Sequence, residues 1–244
     1  MPKLYCFGEV LWDLFPSGAK PGGAPMNVAI HAQNLGLESA VISTIEEPSA
    51  WDFIGAPAIS WEPGDLLLHG SLATRNKNSF DALNVLRTQA TMRVFDLNLR
   101  APFIDQERII ALLHGTEIVK VNQEEYELLA EWLQIDADPE LGFEAMHERL
   151  GTQELIVTRG RQGALWVNNL GALQSKVFAV TVKDTVGAGD SFLAAMLFGI
   201  SYLLEPQHTL DYAAALGAMI ASKEGANPLI STTELKAFID ASTQ

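Results

Sequence analysis

Short apolar runs alternate with stretches of helical periodicity along most of this chain, and that alternation limits the fold more than any other feature. Lys3–Gly8, Ser39–Ile45, Leu66–His69, Met92–Leu97, Glu117–Val121 and Glu154–Thr158 read as strands. Pro25–Leu35, Phe80–Ala90, Glu107–His114, Glu124–Leu133 and Leu141–Leu150 read as helices. Ala164–Val167 and Phe178–Val182 read as two short strands joined by turn residues, and after Gly187 come helices over Asp190–Leu204, Thr209–Glu224 and Thr233–Ser242. Strands alternating with helices build βαβ units and a mainly parallel sheet covered on both faces. The expectation is one α/β domain over residues 1–244, layered α/β/α, with no internal repeat and no linker. Only Glu46–Gly64, with its three prolines and two tryptophans, resists assignment.

Charge narrows the range of partners. Acidic residues number 30 against 16 basic ones, and no Lys or Arg occurs between Pro21 and Thr74. Such a chain binds phosphate backbones poorly, so neither nucleic acid nor an anionic membrane is an expected partner. The single cysteine, Cys6, excludes an intrachain disulfide and a Cys-rich metal site, and its apolar surroundings suit a buried thiol in a reducing compartment. The first residues lack the sustained apolar stretch of a signal peptide, and the run Ser191–Leu204 is too short to span a bilayer, so a cytoplasmic protein is expected.

In open parallel sheets, ligands bind beyond the carboxyl ends of the strands, so residues just after each strand carry the functional expectation. The run Asp184-Thr185-Val186-Gly187-Ala188-Gly189-Asp190-Ser191-Phe192 precedes an apolar helix. The minimal side chains of Gly187, Ala188 and Gly189 let an anion approach backbone N–H groups, and the helix N-terminus adds its dipole. Asp190 beside them can accept the proton of an attacking hydroxyl. A glycine turn with Asp190 as a plain N-cap is the alternative.

Those nine residues closely resemble the C-terminal signature of the ribokinase-like (PfkB) carbohydrate kinases, fructokinase-like subgroup. The resemblance implies that Gly187–Gly189 form an anion hole, that Asp190 is the catalytic base, and that a monovalent cation such as K⁺ sits beside Asp184 and Thr185. Gly8-Glu9-Val10-Leu11-Trp12-Asp13 and Gly22-Gly23-Ala24-Pro25-Met26-Asn27 resemble the family's sugar-binding elements. Asp13 offers acceptors to vicinal hydroxyls, Asn27 offers donor and acceptor together, and Gly22 and Gly23 leave room for a sugar ring. The run from Phe95 to Arg100 resembles the D-x-N-x-R of fructokinase-like members, with Arg100 available to a phosphate or carboxylate; a local Asp96–Arg100 ion pair is the simpler alternative. Asn122 and Glu125 match the family's N-x-x-E, linked to Mg²⁺, and act through water on that reading; a helix cap explains the same residues. Thr158 with Gly160, and Gly225 with Asn227, resemble segments beside the nucleotide, or are ordinary strand-exit and helix-end turns. His69 ends a strand near the same edge, although a structural histidine accounts for it.

The resemblance breaks at Ile45. Relatives continue there into another helix and a small β-sheet lid, whereas here Glu46-Glu47-Pro48-Ser49 leads directly to Ala50–Ile54. The implied fold is therefore ribokinase-like without the conventional β-lid. The implied activity is transfer of a phosphoryl group from ATP, with Mg²⁺, to a hydroxyl of a small sugar. A homodimer, if formed, would use an interface other than the lid. Two other readings stay open: a lid-less, weakly catalytic sugar- or nucleotide-binding protein, and a kinase for a nucleoside or other hydroxyl compound.

Overall fold

The run Leu66-Leu67-Leu68 is buried on both faces, which is the mark of a strand deep inside a covered parallel sheet. The computed structural model of the chain describes residues 1–15, 18–43 and 56–242. In chain order the elements begin with β1 (Leu4–Phe7), β2 (Leu11–Phe15), β3 (Gly18–Gly22), α1 (Ala24–Leu35), β4 (Ser39–Ile42) and β5 (Leu66–Gly70). Next are α2 (Lys77–Gln89), β6 (Met92–Asp96), α3 (Gln106–Leu113), β7 (Ile118–Asn122), α4 (Gln123–Leu133), α5 (Pro139–Leu150) and β8 (Glu154–Thr158). The chain closes with β9 (Ala164–Asn168), β10 (Gly171–Gln174), α6 (Ala188–Ser201), α7 (Pro206–Ala221) and α8 (Thr232–Ala241).

Eight strands form one sheet in the order β10-β9-β8-β7-β6-β5-β1-β4. From β4 to β8 neighbours pair in parallel, and β9 and β10 complete the sheet in antiparallel fashion. Side chains alternate between two cores. Leu4, Leu66, Leu68, Val94 and Ile118 pack against α1, α6 and α7, while Leu67, Phe95, Val119 and Val121 pack against α2, α3 and α4. This is the expected α/β/α layering. Because β1 lies between β4 and β5, the strand order reverses there, and a ligand-binding crevice belongs at the carboxyl ends of these strands.

Two parts of the sequence reading are corrected. Phe178–Val182 is not a strand; Phe178 tucks into the core against Phe238, and the strand that pairs with β9 is β10. The segment after β1, where the sequence reading assigns no strand, contains the antiparallel pair β2–β3, which forms a small sheet of its own. Gly18-Ala19-Lys20-Pro21-Gly22 has little β propensity and no apolar alternation, so nothing in it announced a strand. Ile45, Glu46–Ser49 and Trp51 lie outside the described residues.

Candidate active site

Side chains from four separate elements converge at the carboxyl edge of the sheet. Strand alternation turns Asp96, the last residue of β6, and Lys120 of β7 toward the face covered by α1 and α6. Lys120 Nζ donates to Asp96 Oδ1 at 2.9 Å, and both side chains are buried. The acid of the D-x-N-x-R run thus pairs with Lys120 and not with Arg100, which is exposed and donates to the carbonyl of Leu99.

Asp190 lies in the first turn of α6, above this ion pair. Asn27 of α1 donates its Nδ2 hydrogen to Asp190 Oδ2 at 2.8 Å, and Asn227 donates to Asn27 Oδ1 at 2.8 Å. These two bonds fix the amide orientation of Asn27, because its oxygen accepts and its nitrogen donates. Asp190 therefore ends a relay of two amides. Burial pushes its carboxyl up to about 6, and the negative charge of Asp96 adds to that, against the Asn27 hydrogen bond and the positive charges of Lys120 and Arg100. A base with that proton affinity is largely ionised at neutral pH and still basic enough to take a proton.

The glycine turn before Asp190 is closely held. Gly187 has φ 78°, and a Cβ placed there would lie 2.4 Å from the Ala226 carbonyl oxygen, so both the backbone and the space require glycine. The 225–227 segment is in turn fixed by His31, whose Nε2 meets the Ala226 carbonyl at 2.9 Å, and by Asp184, which accepts from Gly225 N and Val186 N. Among the described residues the amides of Gly187, Gly189 and Asp190 make no hydrogen bond, whereas the Ala188 amide bonds to the Thr185 carbonyl at 3.3 Å. Of the three residues expected to form the anion hole, the two glycines keep their amides free and Ala188 does not.

Asn122 and Glu125 form a reciprocal cap on α4. Asn122 Oδ1 accepts from Glu125 N, and Glu125 Oε2 accepts from Asn122 N while Oε1 accepts from Leu99 N. Both carboxylate oxygens are engaged, and among the described residues no group of three acidic, His or Cys side chains could hold a metal. Mg²⁺ keeps several waters and takes much of its remaining shell from phosphates, so these residues fit it only through water. Both oxygens of Asp184 are likewise taken by amides.

The other expected positions are spread around the same edge. Thr158 ends β8 and Gly160 opens a short 3₁₀ turn with φ 54°. Gly22 ends β3, and Gly23 caps α1 so tightly that a Cβ would sit 2.5 Å from the Glu9 carbonyl oxygen. Asp13 lies in β2 opposite Lys20 in register, but its side chain is outside the described residues. His69, with Glu9, Pro25, Asp96 and Asn98, lines a cleft at the ends of β1, β5 and β6. Arg87 Nη1 donates to His69 Nε2 at 2.7 Å, which fixes the histidine as neutral, since a guanidinium can only donate. The sequence reading missed Lys120. A lysine inside the otherwise apolar strand Ile118-Val119-Lys120-Val121 was the available signal.

Comparison with known proteins agrees with this geometry. The family model described as pfkB family carbohydrate kinase matches residues 60–233, well over half of the chain. The 1-phosphofructokinase of Escherichia coli (strain K12) is 30% identical over 182 residues, covering 72% of this chain but only 56% of that protein. The chain thus spans little more than half the length of the first relatives it matches. A fructokinase of Escherichia coli is 24% identical, with 92% of this chain and 94% of the relative covered. In structure, fructokinase from Vibrio cholerae O395, solved with fructose, ADP and calcium ion bound, superposes with a TM-score of 0.80 at 23% identity, covering 98% of this chain and 99% of that one. A match over this much of the chain, joined to a glycine turn and an acid at the carboxyl edge of a ribokinase-like sheet, makes the chain a member of the pfkB family of carbohydrate kinases.

Proposed function

We propose that the chain is an ATP-dependent kinase that phosphorylates a hydroxyl of a small sugar, working as one domain over residues 1–244. The observation that carries this reading is Asp190 itself: a carboxyl of raised proton affinity, fixed by Asn27, beside free amides at the start of α6. The acceptor hydroxyl loses its proton to Asp190 as its oxygen bonds to the γ-phosphorus, whose bond to the β,γ-bridging oxygen of ATP breaks, so that ADP leaves with that oxygen. The free amides of Gly187 and Gly189 and the dipole of α6 stabilise the charge that develops on the transferring group. Little covalent chemistry is asked of the protein, so positioning and electrostatics supply most of the acceleration.

Asp13, Gly22, Gly23 and Arg100 are assigned to the acceptor side, and Asn27 serves it by orienting Asp190. Thr158, Gly160, Gly225 and Asn227 are assigned to the nucleotide side. Asn122 and Glu125 are assigned to Mg²⁺ through water, and the Asp184–Thr185 turn to a monovalent cation. Bound Mg²⁺ supplies charge neutralisation for the phosphates. Among the described residues no helix is long and apolar enough to cross a membrane, and we assign the protein to the cytoplasm.

The test is ADP release with ATP and Mg²⁺ across a panel of sugars, sugar phosphates and nucleosides, against a control without acceptor. A sugar that raises ADP release well above the control and appears as its phosphate ester is the expected result. Turnover with nucleosides alone would move the acceptor to another class. Binding of sugar and ATP without turnover would make the chain a binding protein.

A further inference from the structure

A buried ammonium in the middle of a parallel strand is costly unless it is paired. Lys120 stands at such a position, flanked by Val119 and Val121 of the opposite core. Among the described residues its Nζ donates one hydrogen bond, to Asp96 Oδ1, and it lies directly under the glycine turn: a Cβ on Gly189 would sit 3.5 Å from it. Three carboxylates face this one cation, Asp96 from β6, Glu125 from α4 and Asp190 from α6, and all three favour its charged form. Asp190 in turn is faced by Asp96, Lys120 and Arg100, and from α1 by the neutral amide of Asn27. His31, also on α1, is engaged with the Ala226 carbonyl.

We infer that Lys120 is a positioning residue for phosphoryl transfer: held beneath Gly189, it neutralises Asp96 and so lets Asp190 face the acceptor as an ionised carboxylate. This rests on the kinase reading. Its physical content is a balance. Asp96 opposes ionisation of Asp190 and Lys120 favours it, and the 2.9 Å bond joins the two opposing charges into one unit. Removing the lysine alone leaves an unpaired carboxylate beside the base. Removing both charges together leaves Asp190 nearly where it began.

The experiment compares Lys120→Met, Lys120→Arg and the double variant Asp96→Asn/Lys120→Met in kcat, in KM for the acceptor and in the pH dependence of kcat. For Lys120→Met, the acid limb should move up by about one unit, as loss of a nearby opposite charge requires, so kcat should fall by about twofold at pH 7 and by nearly tenfold below about pH 5. The acceptor KM should change much less. Lys120→Arg, which keeps the charge, should hold its acid limb near the native position. The double variant carries neither buried charge, so it should return the limb most of the way toward the native one, and it serves as the folded reference if Lys120→Met alone fails to fold. An acid limb unmoved in folded Lys120→Met, or displaced as far in the double variant as in the single one, overturns the inference. Absence of acceptor-dependent turnover in the wild-type protein would instead overturn the kinase reading, so the two failures are distinguishable.

Discussion

Helices α4 and α6 both start at the carboxyl edge of the same sheet, and both carry an acid in the first turn, yet they use it in opposite ways. At α4 the acid turns back on its own helix. Glu125 accepts from Asn122 N, Asn122 accepts from Glu125 N, and the N-terminus is closed by its own side chains. At α6 the N-cap is Gly187, which has no side chain to offer, and the acid is drawn away by Asn27, so among the described residues no group takes the amides of Gly187, Gly189 and Asp190. The orphan donors and the dipole of a helix start are common property. What distinguishes a site from a cap is whether local side chains consume those donors, and here that is decided by a residue 163 positions away in sequence.

The largest effect should come from Asp190. Asp190→Asn keeps the Asn27 hydrogen bond, because its amide oxygen can still accept, but it cannot take a proton. Turnover should fall by a factor on the order of 10²–10⁴, with acceptor KM little changed. In the wild type the rate should rise with pH through about 6, since the base works only when ionised. Initial-rate kinetics between pH 5 and 8 check both statements, and near-native turnover in the variant would return α6 to the status of an ordinary helix start.

The same substitution should stabilise the fold. A carboxyl whose folded value is raised from 3.8 to about 6 costs nothing below its unfolded value, because it is protonated in both states. The cost grows as pH rises between the two values and is complete above the folded one. Asp190→Asn should therefore raise stability by up to about 3 kcal/mol at pH 8, with partial exposure of the residue trimming the gain. The gain should vanish near pH 4. Chemical denaturation at both pH values measures it; an equal gain at both would detach it from ionisation.

Gly187→Ala tests the geometry of the open turn. The methyl group would meet the Ala226 carbonyl oxygen in a backbone region that suits glycine, and relief requires moving the 225–227 segment that His31 and Asp184 hold. A loss of about 1–3 kcal/mol in stability is expected, together with lower turnover. Thermal melts and ADP release report the two, and a variant with native values of both would show that the turn is not closely packed.

Some of this was legible in the residues and some was not. Leu66–His69 announced a strand, and the glycine-acid run announced a helix start. Phe178–Val182 looked like a strand because β-branched and aromatic residues fill it, but Phe178 packs on Phe238 and, among the described residues, no strand pairs with this segment. The pair β2–β3 was hidden by Gly and Pro. The Asp96–Arg100 pairing suggested by closeness in sequence lost to Lys120, whose adjacent strand brings its side chain to the same face. Sequence order carries local chemistry well; it does not carry which distant side chain arrives first at an acid.

The smallest effect should come from the closed helix start. Asn122→Ala removes the acceptor for Glu125 N, and loss of such a cap costs typically about 1 kcal/mol. If α4 is only capped, turnover and its dependence on Mg²⁺ concentration should stay within about twofold of native while the melting temperature falls. The water-mediated assignment of Mg²⁺ to Asn122 and Glu125 expects more. Without Asn122 the carboxylate of Glu125 loses part of its anchoring, and the Mg²⁺ concentration needed for half-maximal rate should rise several-fold with kcat at saturation nearly restored. Titration of Mg²⁺ at fixed ATP separates the two. A rise would show that α4 is closed by its own side chains and still serves the phosphates at one remove, making the contrast with α6 one of distance and not of kind.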